Sequence, residues 1–194
     1  MSAKRILVLN GHPAETSLSK SLAEKYTQSA QEAGHDVRVL HLRDFDLDYG
    51  FGGYSNHKPL EPCLLAFQAD VDWAQHVVLL TPMWWGGMPA KLKGLFDRTL
   101  LPGWAFDTRT TKMGMPLPLL GGRTARAIVT SDTPTFLFGL MYHRSLLRQI
   151  KGQILHFIGM KPAKITHFAP ASKAKPELAA RWLNKVGELG RQGV

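Results

Sequence analysis

The sequence predicts an α/β fold, a parallel sheet with helices on both faces, and three observations lead there. Apolar runs such as Ile6 to Leu9 and Val77 to Thr81 are short and continuous, as strands buried on both faces are. Between them lie stretches with apolar residues at helical spacing, the first carrying Leu18, Leu22, Tyr26 and Ala30. Strand and helix patterns alternate from one end of the chain to the other, which demands right-handed crossovers and parallel strands.

Element by element, the first central strand is read at Lys4 to Asn10, and a helix over Leu18 to Ala33 stops at Gly34. Val37, Val39 and Leu40 give the second strand, and Asp44 to Pro59, rich in Asp, Gly, Tyr and Asn, reads as a long loop. A helix follows over Leu60 to Ala74, with Pro62 in its first turn, then a third strand over Val77 to Thr81. Pro89 opens the next helix, through Leu92, Leu95, Phe96 and Leu100; Thr108 to Gly122 is read as an excursion without regular structure. Ala125 to Thr130 is the fourth strand, Leu146 to Ile158 a helix closed at Gly159, Ala163 to Phe168 the fifth strand and Pro176 to Leu189 the final helix. Five such strands suit a flavodoxin-like three-layer sandwich of order 2-1-3-4-5 or half of a dinucleotide-binding fold. Both place ligands at the carboxyl ends of strands near the switch point.

Length and composition narrow the classes. The 194 residues suit one domain, 1–194, with a sizeable core. The net charge of +9 permits attraction to phosphorylated ligands, but Lys and Arg are scattered with no tight basic run, so no nucleic-acid partner is expected. The single cysteine, Cys63, leaves no intramolecular disulfide and points to a reducing compartment. The apolar stretch near the start is too short for an export signal, and the run from Val77 to Met83 is too short to span a bilayer; cytoplasm is the expected address.

Three loops after strands carry the chemistry. Asn10 to Ser19 lacks the glycine patterns of dinucleotide folds and P-loops, but gathers hydroxyls and His12 where a helix start favours an anion; Thr16 or Ser17 would cap the helix, bind phosphate, or both. In the second, Trp84 and Trp85 precede Gly86 and Gly87, and alternation sends the two indoles to different sides, so at least one meets a ligand or a second subunit. Glycines beside them let backbone approach a flat ring. The third, Thr130-Ser131-Asp132-Thr133-Pro134, ends the fourth strand.

The stretch Pro82-Met83-Trp84-Trp85-Gly86-Gly87-Met88-Pro89-Ala90-Lys91-Leu92-Lys93-Gly94-Leu95-Phe96-Asp97-Arg98, followed by Gly103-Trp104-Ala105-Phe106, resembles the signature of the flavodoxin-fold NAD(P)H dehydrogenases (quinone). That group includes quinone reductases, modulators of drug activity and ancillary oxidoreductases of potassium-efflux systems. Leu7 to Ser19 and Ile154 to Gly159 extend the likeness over nearly the whole chain. The resemblance implies a homodimer that carries FMN or FAD, with FMN favoured because only one phosphate site is evident, and that takes electrons from NAD(P)H to a quinone-like acceptor.

Carried onto this chain, the resemblance puts His12, Thr16, Ser17, Leu18 and Ser19 around the flavin phosphate and ribityl chain, and Pro82, Met83, Trp84, Trp85 and Gly86 along the ring. Thr130 and Ser131 approach the ring, while Asp132, whose charge would oppose a reduced flavin, is expected to point away or cap its loop. Phe106 corresponds to an aromatic that helps roof the substrate pocket, and Trp104 to a dimer or pocket residue. Relatives' pocket histidine has no secure counterpart; Tyr142 and His143 are the candidate proton donors. Apart from the resemblance, Arg109, Lys112 and Arg123 would suit a 2′-phosphate, and ordinary surface solvation accounts for them equally well. Two other readings stand beside the enzyme: an electron-carrier flavodoxin, and a regulatory subunit in peripheral contact with a potassium-efflux transporter.

Overall fold

A computed structural model describes residues 2–54 and 58–194, without the side chains of Thr110 and Lys112. Residues 55–57 of the expected long loop therefore lie outside the described residues. The strands are β1 (Arg5–Asn10), β2 (Asp36–His41), β3 (His76–Pro82), β4 (Phe106–Lys112), β5 (Met115–Pro118), β6 (Thr124–Thr130) and β7 (Ala163–Phe168). The helices are α1 (Leu18–Glu32), α2 (Pro62–Trp73), α3 (Ala90–Thr99), α4 (Thr135–Tyr142), α5 (Ser145–Arg148) and α6 (Pro176–Gln192).

Five strands form one parallel sheet in the order β2-β1-β3-β6-β7, which is the expected 2-1-3-4-5 once the small β4-β5 hairpin is set aside. The continuous apolar runs follow from helices on both faces. Ile6 and Val8 of β1, with Val78 and Leu80 of β3, pack under α1 and α6 against Leu22, Tyr26, Trp182 and Val186. Their alternates Leu7, Leu9, Val77 and Leu79 face α2 to α5, against Leu64, Phe67, Leu92, Leu95 and Phe138. A strand with period-two alternation and two dry faces has no position left for a polar residue.

Three parts of the molecule differ from the sequence reading. Thr108 to Gly122, expected to be irregular, is mostly the outlying β4-β5 hairpin, whose Phe106 is anchored in the core at 8% exposure while most of the remainder is exposed. The segment Thr135–Tyr142, to which no element was assigned, is helical. The expected helix over Leu146 to Ile158 is α5 followed by a π-helical stretch, Gln149–His156, in which Ile150 and Leu155, five residues apart, are both buried. Among the described residues no helix is long and apolar enough to cross a membrane.

Candidate functional site

Parallel strands all end on one edge, and β1, β3 and β6 are neighbours, so their following loops must meet there. They enclose a cleft of about 290 Å³ lined by His12, Thr16, Ser17, Leu18, Ser19, Pro82, Met83, Trp84, Thr130, Ser131 and Asp132, with Ala171 and Ser172. The loops are tied to each other through backbone: Gly11 N–H donates to Leu80 O at 2.7 Å, Met83 N–H to Thr130 O at 2.7 Å and Ser131 N–H to Phe168 O at 3.0 Å.

At the start of α1, Ser17 is the cap, its hydroxyl accepting from Lys20 N–H at 3.1 Å, and the first turn holds no acidic side chain. Uncompensated amide donors, the hydroxyls of Thr16, Ser17 and Ser19, and no opposing carboxylate in that turn are the chemistry a phosphate requires. The His12 ring meets the Trp84 indole edge-on, centroids 5.4 Å apart. Its Nδ1 accepts from Ala14 N–H at 3.0 Å, which leaves the proton on Nε2, and burial holds its pKa below the ordinary imidazole value. The imidazole is therefore a neutral donor.

Trp84 and Gly87 exchange both backbone hydrogen bonds at 2.9 Å, and the two residues between them sit at positive φ, Trp85 at 51° and Gly86 at 76°. This is a type I′ turn, which glycine adopts freely and tryptophan at a cost of about 1–2 kcal/mol. The turn throws Trp85 outward at 106% exposure and keeps Trp84 in the cleft. Trp85 and Gly86 thus do not line the cleft itself but an adjoining hollow of about 340 Å³, shared with Met83, Thr133, Phe138, Tyr142 and Ser145.

Asp132 lines the cleft, yet its carboxylate accepts Ser172 N–H at 2.7 Å; that backbone hydrogen bond holds its pKa below the usual carboxylate range. Ser131, almost fully buried, shares a 2.8 Å hydrogen bond with His167 Nε2. Ser172 and His167 were missed by the sequence reading. Both follow from the same edge-of-sheet reasoning applied to one more strand, His167 at the carboxyl end of β7 and Ser172 in the loop after it, but neither belongs to a motif.

Other expected residues lie elsewhere. Phe106 packs edge-on against Phe157, centroids 5.2 Å apart, and lines a separate cavity of about 270 Å³ with Phe96, Leu100 and Gln153. Trp104 donates its indole N–H to Asp72 at 3.1 Å. His143 lines a different surface hollow from Tyr142. Arg123 is bound to Asp72 and the Val71 carbonyl, and exposed Arg109 pairs with Asp107 two residues away; the Lys112 side chain is outside the described residues.

A model of the family described as having a flavodoxin-like fold matches residues 4–188. The chain belongs to that family. Among curated relatives of this flavodoxin-like protein is a rat ribosyldihydronicotinamide dehydrogenase [quinone], 26% identical, the alignment covering 96% of this chain and 88% of the relative. An FMN-dependent NADH:quinone oxidoreductase of Bradyrhizobium diazoefficiens is 34% identical over 56% of this chain and 51% of its own length. A crystal structure of a Streptococcus mutans protein superposes with a TM-score of 0.82 at 25% identity, covering 97% of this chain and 99% of that one.

Proposed function

We propose that the chain is a flavin-dependent NAD(P)H oxidoreductase that delivers two electrons to a quinone or similar small acceptor. One observation carries this reading: loops after three adjacent parallel strands converge so that a hydroxyl-rich, acid-free helix start faces an aromatic wall. That arrangement suits a planar ring bearing a phosphate. The names of the rat and Bradyrhizobium relatives, with their quinone, NADH and FMN, support it.

In this reading Thr16, Ser17, Leu18, Ser19 and His12 hold the phosphate and ribityl chain, Pro82 to Gly86 flank the ring, and Thr130 and Ser131 meet its polar edge. FMN is the preferred form, since the α1 start offers a single phosphate site. A flavin held there would supply two-electron redox chemistry between a nicotinamide donor and the acceptor. The chain's own groups position and exclude. Ser172 N–H draws the Asp132 charge to itself, neutral His12 donates from Nε2, and the hollow beside Trp85 receives donor and acceptor in turn. Tyr142, which lines that hollow, would give the acceptor its proton in this reading; His143 lines a neighbouring one. Exposed Trp85 beside the hollow, with exposed Phe136, Leu140 and Met141 on the neighbouring α4, supports a second copy of the chain closing over this face, with Trp104 and Phe106 expected on the dimer's substrate-facing side.

The test is steady-state turnover with NADPH or NADH and a soluble benzoquinone, together with mass spectrometry of the released flavin. Parallel double-reciprocal lines and a bound FMN are expected. Colourless protein that takes up no added flavin and oxidises neither donor overturns the reading.

A further inference from the structure

Beside the edge strand β7 the surface opens into a hollow of about 450 Å³, walled by Thr135, Arg144, Arg148, Lys151 and His167. Its three cations share one property. Among the described residues Arg144, Arg148 and Lys151 meet no carboxylate; other cations, Arg181 among them, are also without one, but here three line a single concavity. Three unneutralised cations around one concavity repel one another and raise a positive potential there, which an anion relieves.

Two features indicate that the hollow is shaped rather than incidental. Arg144 is held by a strained turn: His143 and Arg144 are consecutive non-glycine residues at positive φ, 50° and 54°. Each costs about 1–2 kcal/mol in that conformation. The turn folds the Arg144 guanidinium back over Gly139, where an added Cβ would lie 3.4 Å from its Nε. Thr135 opens α4, whose amino end is preceded by Pro134 and has no side-chain cap, so a hydroxyl and uncapped amides stand on the same side as the cations.

The hollow is also one side chain away from the flavin cleft. His167, on its wall, is hydrogen-bonded to Ser131, on the cleft's wall, and Thr133, Tyr142 and Ser145, which flank the hollow's own residues in sequence, line the space beside Trp85. We propose that the Arg144–Arg148–Lys151 hollow binds a dianionic phosphate monoester, the 2′-phosphate of NADPH, and so selects NADPH over NADH. A monoester concentrates about −1.5 to −2 charges on three acceptor oxygens, which suits clustered cations better than the extended, singly charged groups of a pyrophosphate. The inference rests on the donor assignment made above.

The double variant Arg148→Gln/Lys151→Gln tests it without touching the strained turn. The ratio of kcat/KM for NADPH to that for NADH is expected to fall at least tenfold, and the affinity for adenosine 2′,5′-bisphosphate, read by calorimetry, to weaken at least tenfold while that for ADP-ribose, which carries no monoester, changes less than twofold. Arg181→Gln, an exposed cation on α6 at the opposite face, controls for loss of long-range attraction and is expected to leave the ratio unchanged. Equal losses for both donors, a ratio unchanged in the double variant, or undiminished bisphosphate binding overturns the inference. Absence of turnover with either donor counts against the oxidoreductase reading instead, and the calorimetry still decides the hollow.

Discussion

His76 shows how a single buried side chain sets the response to acid. It stands on β3 at 3% exposure, its Nδ1 2.6 Å from the Thr124 hydroxyl oxygen and its Nε2 without a partner. Burial first, then the positive charges of Lys4 and Arg126, push its pKa down to about 3 from 6.5. The folded state therefore keeps the imidazole neutral where the unfolded chain protonates it. The stability it contributes is complete above pH 6.5 and is lost as pH falls from there towards about 3, with a slope of at most about 1.4 kcal/mol per pH unit for one proton. His76→Gln keeps an amide for Thr124 and removes the titration. Urea unfolding at pH 7 and at pH 4.5 is expected to show a smaller acid loss in the variant than in the parent; equal losses would assign the acid sensitivity to other groups, among them His12 and His167, whose values burial also lowers.

At the scale of elements, the segment after β2 is held down by α3. Arg98, 1% exposed, donates to the carbonyls of Asp48 and Pro59 and forms an ion pair with Glu61, while one turn earlier Gly94 lets the chain cross at contact distance. A Cβ at Gly94 would lie 2.2 Å from Tyr49 Cβ, a distance no relaxation of a flexible side-chain end relieves. Gly94→Ala is expected to lift the segment around Tyr49, cost about 1–3 kcal/mol, and make the chain between residues 45 and 54 the first point of proteolytic cleavage. Intact resistance there would mean that α3 yields instead. This coupling was not legible in the sequence, where Gly94 reads only as a small residue in an amphipathic helix. What was legible is whatever a strong period dictates: the β1 and β3 runs, the α1 and α6 stripes, and, through the crossover rule, the edge on which the loops of His12, Met83 and Ser131 meet. α4, Thr135–Tyr142, was not, because it is apolar nearly all round and shows no stripe. The Ser131–His167 pair escaped because it joins residues distant in sequence, while the positive φ of Trp85 and the widened turns of Gln149–His156 are local but break the periods that spacing reveals.

For the whole molecule, the two helix layers divide the labour. The layer of α2 to α5 carries the hollows outside the cleft and the exposed apolar side chains Phe136, Leu140 and Met141, whereas α1 and α6 pack against each other under the sheet. Gly190 makes the close approach possible, since a Cβ there would stand 2.4 Å from the Tyr26 carbonyl oxygen. The same end of the chain is pinned to its beginning, with the Lys4 ammonium donating to Gly193 O at 2.8 Å. The Gly190 contacts at Tyr26 and Ala30 lie eight or more residues along α1 from Leu18, roughly 12 Å or more at 1.5 Å per residue, although Leu18 itself packs at the border of the same core. Perturbations at such separations add. Gly190→Val is expected to cost about 1–3 kcal/mol by overpacking, and FMN at 100 times its dissociation constant to return about 2.7 kcal/mol to parent and variant alike. Chemical denaturation of both proteins with and without FMN measures the two effects. A flavin increment that shrinks in the variant would show that α6 shapes the cleft through α1, and that the phosphate-binding end of the helix depends on how its far end is packed.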